Sequence, residues 1–235
     1  MYELLSYIFP SRCVVCGSPV SLGDHDACAA CLSSIKPPSR GCPRCGGMLL
    51  DEKCMVCGDR AFYPDRNICA GEYRGALEAI LKSLKFDSRA RLCRPLGALA
   101  CRGLAEAGLE FDLVTAVPMS PGKRWKRGFN QSELVARTVA GTLGTRYRRL
   151  LMERRGAPRQ REMRRTDRFI NVLDRYAAVD RKLVSGARIL IIDDILTTGA
   201  TINECARTLK NAGAAGVYSL TIARAGIKKL ENLYF

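Results

Sequence analysis

The chain has 235 residues, 47% of them apolar, with 38 basic and 23 acidic side chains and a net charge of +15. That length suits one α/β domain plus something small, and the cationic surplus favours polyanionic partners without bearing on fold. The start Met1–Pro10 lacks a basic n-region and a cleavage site, and no run approaches the roughly 20 apolar residues of a membrane span, so the expectation is a cytoplasmic protein in which structural disulfides are disfavoured.

Twelve cysteines in one chain raise disulfides or metal, and that setting argues against structural disulfides. Eight of them form four C-x-x-C pairs: Cys13/Cys16, Cys28/Cys31, Cys42/Cys45 and Cys54/Cys57. That spacing lets a tight turn aim two thiolates at one tetrahedral ion, and Gly17, Gly46-Gly47 and Gly58 leave room for three of the turns. Four pairs supply two closed four-cysteine Zn²⁺ sites, structural rather than catalytic, either paired in sequence or cross-braced. A segment this poor in apolar residues takes much of its folding energy from metal. His25, the single histidine, reads as an exposed loop residue and not a ligand. The body therefore has no Ser-His or Cys-His relay, which counts against hydrolase chemistry of that kind.

From Asn67 the composition changes. Ile68–Tyr73 reads as a strand. Ala76–Phe86 has apolar residues at 77, 80, 81 and 84, the spacing of an amphipathic helix, with Lys82 and Lys85 on its wet side. A helix over Arg89–Ala107 follows. Cys69, Cys93, Cys101 and Cys205 lack pair spacing and read as small core residues. Phe111–Val117 is a buried strand ending in the polar turn Pro118–Gly122, where Ser120, Lys123 and Arg124 could meet a pyrophosphate. Gln131–Thr142 is a helix, and Leu150–Met152 starts another strand. Glu153–Asp174 is Arg-rich and reads as a long cationic lid. Ala178–Gly186 is a turn region. Between Pro121 and Lys182 stand 18 basic and 6 acidic residues, with Trp125 and Phe129 interleaved. Exposed aromatics among cations suit base stacking on single strands, although Phe129 reads better as core. The nucleic-acid candidates are Lys126, Arg127, Arg159, Arg164 and Arg165.

The chain is organised around Ile189-Leu190-Ile191-Ile192-Asp193-Asp194-Ile195-Leu196-Thr197-Thr198-Gly199-Ala200-Thr201. An unbroken apolar run is the mark of a strand covered on both faces. Two carboxylates follow, then a small-residue turn whose N–H groups, hydroxyls and helix dipole make a phosphate cradle. A phosphate and a diol at that separation suggest a ribose 5-phosphate. Ala215–Ala223 closes the sheet. Strands alternating with helices give an α/β, mostly parallel sheet with helices on both faces, plus a small N-terminal Cys-rich domain. The boundaries read as 1–62 for the zinc ribbons and 67–226 for the α/β domain. Glu231–Phe235 looks like the remnant of a cleavable expression tag.

The stretch 189–201 resembles the phosphoribosyl-pyrophosphate (PRPP) motif of type I phosphoribosyltransferases. Taken with the paired cysteines after Phe9-Pro10, with Leu84-Lys85-Phe86, Val117-Pro118 and Arg127-Gly128-Phe129-Asn130-Gln131, the whole chain resembles the ComF (ComFC) family of phosphoribosyltransferase-like competence proteins. The resemblance implies a role in natural transformation and the handling of single-stranded DNA, with PRPP and Mg²⁺ as ligands and a helicase-like or other competence protein as partner. It implies Asp193 and Asp194 on the ribose diol, directly or through the metal. Thr197, Thr198, Gly199, Ala200 and Thr201 would hold the 5-phosphate. Ser120, Lys123, Arg124, Arg154, Arg155 and Arg161 would hold the pyrophosphate. Two alternatives are an active phosphoribosyltransferase of nucleotide metabolism with an unknown acceptor and a PRPP-sensing scaffold without catalysis. The lid departs from the family's Arg-x-Thr-x-x-Gln: Arg155-Gly156-Ala157-Pro158-Arg159-Gln160 lacks the threonine.

Overall fold

A computed structural model describes residues 11–20, 25–38, 41–47, 49–58, 61–154 and 173–226. Most of the expected lid, with Arg155, Arg159, Arg161, Arg164 and Arg165, lies outside the described residues, as do the first ten residues and Glu231–Phe235.

The cysteine-rich front carries a short helix α1 (Ala29–Ser33) and an antiparallel pair, β1 (Leu49–Leu50) with β2 (Lys53–Cys54). The body runs β3 (Arg66–Glu72), α2 (Gly75–Phe86), α3 (Cys93–Ala107), β4 (Leu113–Ala116), α4 (Pro121–Arg127), α5 (Gln131–Thr142), β5 (Arg146–Tyr147), β6 (Leu151–Glu153), β7 (Tyr176–Ala178), α6 (Arg181–Val184), β8 (Arg188–Leu196), α7 (Ala200–Asn211) and β9 (Gly216–Arg224). Five strands form one parallel sheet in the order β3-β9-β8-β4-β5, and β6 and β7 pair antiparallel beside it.

Strand β8 shows why its sequence is apolar at every position. Leu190 and Ile192 join the core under α2, α3 and α5, while Ile189 and Ile191 join the core under α7 and the β6–β7 pair. All four are fully buried, each contributing about 2 kcal/mol from removed apolar surface. The expected parallel sheet covered on both faces is therefore what the chain forms.

Several local expectations change. The strand does not stop at the acids but continues through Asp193 and Asp194 to Leu196, with Asp193, Ile195 and Leu196 paired to β9. The turn expected at Pro118–Gly122 ends early, because Pro121 opens α4 and the left-handed Gly128 closes it. A one-turn helix, α6, occupies the expected turn region, capped by Asp180. His25 is half-buried rather than exposed, in a turn with positive φ, and neither cysteine cluster includes it. Lys82 is on the wet side, paired with Glu78, but Lys85 is not: it reaches over the sheet edge to Asp194. Cys69, Cys93 and Cys205 are buried as expected, and Cys101 is half-buried.

Among the described residues, no helix is long and apolar enough to cross a membrane.

Candidate functional site

Strands β4 and β8 lie side by side, and the chain leaves them in opposite directions. After β4 it crosses through α5 on one face to β5, and after β8 through α7 on the other face to β9. The space between their C-terminal ends is where open α/β sheets place ligands. A cleft of ≈ 500 Å³ opens there, with Val117–Ser120 on one wall and Asp193, Asp194 and Thr197 on the other.

The acids are held by a chain of polar contacts. Arg127 Nη1 donates to Gln131 Oε1 (2.7 Å), Gln131 Nε2 donates to Asp194 Oδ2 (2.6 Å), and Lys85 Nζ meets the same oxygen at 2.8 Å. Ser132 Oγ donates to Asp193 Oδ1 at 3.2 Å. Burial, and then the charge of Asp194, push the Asp193 carboxyl up to about 7. The stretch Arg127–Gln131 thus has a local explanation. Gly128 ends α4 and Phe129 packs on the core. Asn130 caps α5, accepting from Ser132 N while donating to Val117 O, and Gln131 is delivered to the acids.

The turn after β8 presents two faces. Thr197 and Thr201 line the cleft, and with the buried Thr198, Gly199 and Ala200 they also line a recess of ≈ 30 Å³. Gly199 has φ 73° and caps α7, and the first N–H of that helix, from Ala200, donates to Thr198 Oγ1 at 3.4 Å. Opposite, Ser120 Oγ is a buried side-chain oxygen without a hydrogen-bond partner among the described residues. A buried hydroxyl left unpaired costs about 1–3 kcal/mol unless a ligand or water meets it, so this one marks the cleft wall as built for something polar.

The other expected site residues divide. Lys123 lines the cleft. Arg124 does not, being drawn to Glu133 at 3.3 Å, and Arg127, expected at nucleic acid, takes the place beside the acids instead. Arg154 is exposed outside the cleft. Lys126 is exposed on α4 next to Trp125, which is 87% exposed. Lys85, Gln131 and Ser132 were missed as site residues. The signal was present for two of them, in Leu84-Lys85-Phe86 and Arg127–Gln131, but spacing alone says nothing of what such motifs touch. Arg175, bonded through Nε and Nη2 to Glu153 Oε1, completes the far wall with Tyr176.

The cysteines cluster in sequential order, Cys13, Cys16, Cys28 and Cys31 in one group and Cys42, Cys45, Cys54 and Cys57 in the other, with all ligand atoms of a group within 4.8 Å of one another. The Cys16–Cys28 and Cys42–Cys57 sulfurs lie 3.8 and 3.6 Å apart. The edge of a zinc–thiolate tetrahedron is about 3.8 Å; the Cys45–Cys54 sulfurs are closer, at 3.2 Å, and each group brings four thiols together near that spacing. In the second group, burial raises the Cys54 thiol, but N–H donors from Cys57 and Val56 outweigh it and bring it to about 7. The cross-braced alternative does not occur.

Residues 4–59 match the double zinc ribbon domain and residues 132–234 the phosphoribosyl transferase domain. Competence protein ComFC of Streptococcus pneumoniae is 27% identical over 230 residues, covering 91% of this chain and 100% of that protein. This chain is a homologue of the ComF/ComFC proteins. Competence protein F of Haemophilus influenzae is 25% identical over 226 residues, covering 92% of this chain and 98% of its own. DNA utilization protein YhgH of Salmonella typhimurium is 28% identical over 224 residues, covering 92% and 97%. With these homologues, the double zinc ribbon supports structural zinc at the two clusters.

Proposed function

We propose that this chain is a ComF-type protein of DNA uptake whose cleft binds PRPP with Mg²⁺. The observation that carries this reading is the facing of three features across one cleft: the carboxylates of Asp193 and Asp194, the Thr197–Thr201 turn at the start of α7, and the unpaired Ser120 hydroxyl. Competence and DNA utilization proteins that match nearly end to end support the biological setting.

In this reading the cleft faces of Thr197 and Thr201, with the first N–H groups of α7, take the 5-phosphate, where the helix dipole favours an anion. Asp193 and Asp194 are the oxygen donors offered to the ribose diol, and they suit Mg²⁺, which binds through few carboxylates plus substrate oxygens. The ion, bound with PRPP, would withdraw charge from the leaving pyrophosphate. Ser120, Lys123 and Arg127 stand where that pyrophosphate would lie. Transfer breaks the bond from the anomeric carbon to pyrophosphate and forms one to an acceptor nitrogen. The cation developing at that carbon is stabilised by fixed carboxylate charge, so no covalent nucleophile is needed.

The test is a thermal-shift titration with PRPP and Mg²⁺, repeated with Asp194→Asn, alongside pyrophosphate release with a panel of bases. Stabilisation by PRPP that Asp194→Asn abolishes supports the binding site. An equal shift in the variant defeats it. Pyrophosphate release above the no-acceptor control supports transfer, and stabilisation without release supports a PRPP sensor.

A second activity is favoured by one specific feature: α4 displays Trp125 to solvent among Lys123, Arg124, Lys126 and Arg127, beside the cleft. A free aromatic among cations suits single-stranded DNA, whose bases stack on it while phosphates meet the cations.

A further inference from the structure

The second cysteine cluster and the Thr197–Thr201 turn are far apart in sequence, yet they share a wall. Gly199 has φ 73°, and a Cβ built on it would lie 2.8 Å from Val56 Cγ1. Val56 sits between Cys54 and Cys57 and is 3% exposed. Its other side is closed in the same manner, since a Cβ on Gly47 would lie 2.7 Å from Val56 Cγ2. Val56 therefore fills a slot with a glycine on each wall and no slack. Its own position is set by the metal knuckle, because its N–H bonds Cys54 Sγ at 3.4 Å.

Two further contacts fasten the same surfaces. Phe62 and Leu196 belong with Val56, Cys42, Cys45 and Cys57 to one buried cluster, and Arg44, from the first knuckle of this site, donates to Phe62 O at 2.6 Å. Asn203, in the first turn of α7, accepts from Tyr63 N at 2.7 Å and donates to Ala61 O at 3.0 Å. Among the described residues, the first cysteine cluster has no such tie. Its neighbours Val14, Val15 and Leu32 pack on the core beneath α2 and α3, away from the cleft.

We infer that the second zinc site is part of the anion site: through Val56 it holds the Thr197–Gly199 turn in its binding shape, whereas the first zinc site does not. The role as an anion site rests on the reading under Proposed function; the mechanical tie does not. With the metal gone, Cys54 and Cys57 are no longer drawn to Cys42 and Cys45, Val56 leaves its slot, and the turn loses its back wall. An interior emptied on one side forfeits its contacts outright, and local opening then rises where packing is lost. Coupling of this kind is reciprocal, so an anion on the turn retards loss of the second zinc and not the first.

The experiment is hydrogen exchange on the full, zinc-loaded chain, with zinc content measured in parallel. Val56→Ala keeps all eight cysteines, and its amides at 197–201 are expected to exchange about tenfold faster while those at 189–192 are unchanged. Leu32→Ala, beside the first cluster, is expected to leave 197–201 as in wild type. In the unaltered chain, stepwise removal of zinc by a chelator should accelerate 197–201 only with the equivalent that leaves the second cluster, which covers the case in which Val56→Ala does not fold. Unchanged exchange at 197–201 after the second zinc is lost overturns the inference, as does an equal response to Leu32→Ala. Neither measurement uses PRPP. A chain that shows the exchange pattern but no PRPP-dependent thermal shift defeats the phosphate reading alone, and a chain that binds PRPP with an unresponsive turn defeats this inference alone.

Discussion

Lys85 Nζ lies 2.8 Å from Asp194 Oδ2, so a cation supplied by α2 already sits on the second of the two acids. The pair is shielded, with side chains 20% and 16% exposed, and Gln131 shares the same oxygen. The internal ammonium competes with any metal for that carboxylate. Lys85→Met should therefore increase Mg²⁺-dependent stabilisation, read as a larger thermal shift on adding the ion alone. It should also cost roughly 1–2 kcal/mol of stability without metal, since the partner carboxylate loses a partly buried ion pair. Urea unfolding with and without Mg²⁺ checks both, and a variant as stable as wild type with no change in Mg²⁺ response would remove Lys85 from the site.

Asp193 gives a pH dependence. Its carboxyl rises from an ordinary 3.8 to about 7, first by burial and then by the charge of Asp194. A carboxyl raised on folding contributes stability that is fully present below its unfolded value and is lost as pH climbs through its folded one. Asp193→Asn does not titrate and can still accept from Ser132. Its advantage over wild type in urea midpoint should grow between about pH 4 and pH 7, then level off. A difference that is constant across that window counts against the raised value.

Gly199→Ala combines two penalties, a left-handed backbone and a methyl placed 2.8 Å from Val56 Cγ1. The expected loss is about 2–4 kcal/mol from strain and overpacking together. Adding Val56→Ala should recover part of it by making room, a coupling that a double-mutant cycle in urea measures. Simple addition of the two effects would mean that the surfaces do not meet.

Trp125 is the single tryptophan, and it is almost fully exposed. Its fluorescence should quench on adding single-stranded oligonucleotide, and Trp125→Ala should weaken binding by about 1–3 kcal/mol while leaving the unfolding midpoint unchanged. Binding should fall steeply with salt. Binding without quenching would place the nucleic acid elsewhere.

The parts legible in the residues are those whose physics is local. Four C-x-x-C pairs announce metal because two residues of separation set the bite of a knuckle. Ile189–Thr201 announces a buried strand, a carboxylate pair and a small-residue turn into a helix because each follows its neighbour directly. The helix Gln131–Thr142 matched at both ends, since Asn130 is its cap. Element ends fared less well where a cap was read as a turn, as at Ser120-Pro121, which starts α4. Periodicity placed Lys85 on the wet side of its helix, because an amphipathic pattern separates core from surface but does not see a neighbouring sheet edge that lends the surface a partner.

Sequence alone determined that this chain has two thiolate metal sites and a strand–acid–turn unit of the phosphoribosyltransferase kind, because those depend on contacts a few residues apart. Only the tertiary structure decided that Lys85 and Gln131 converge on Asp194, with Arg127 behind Gln131, that Arg124 turns away, and that Val56 backs Gly199. Each is a contact across a long stretch of chain or a choice between equivalent cations, and packing, not spacing, selects among them.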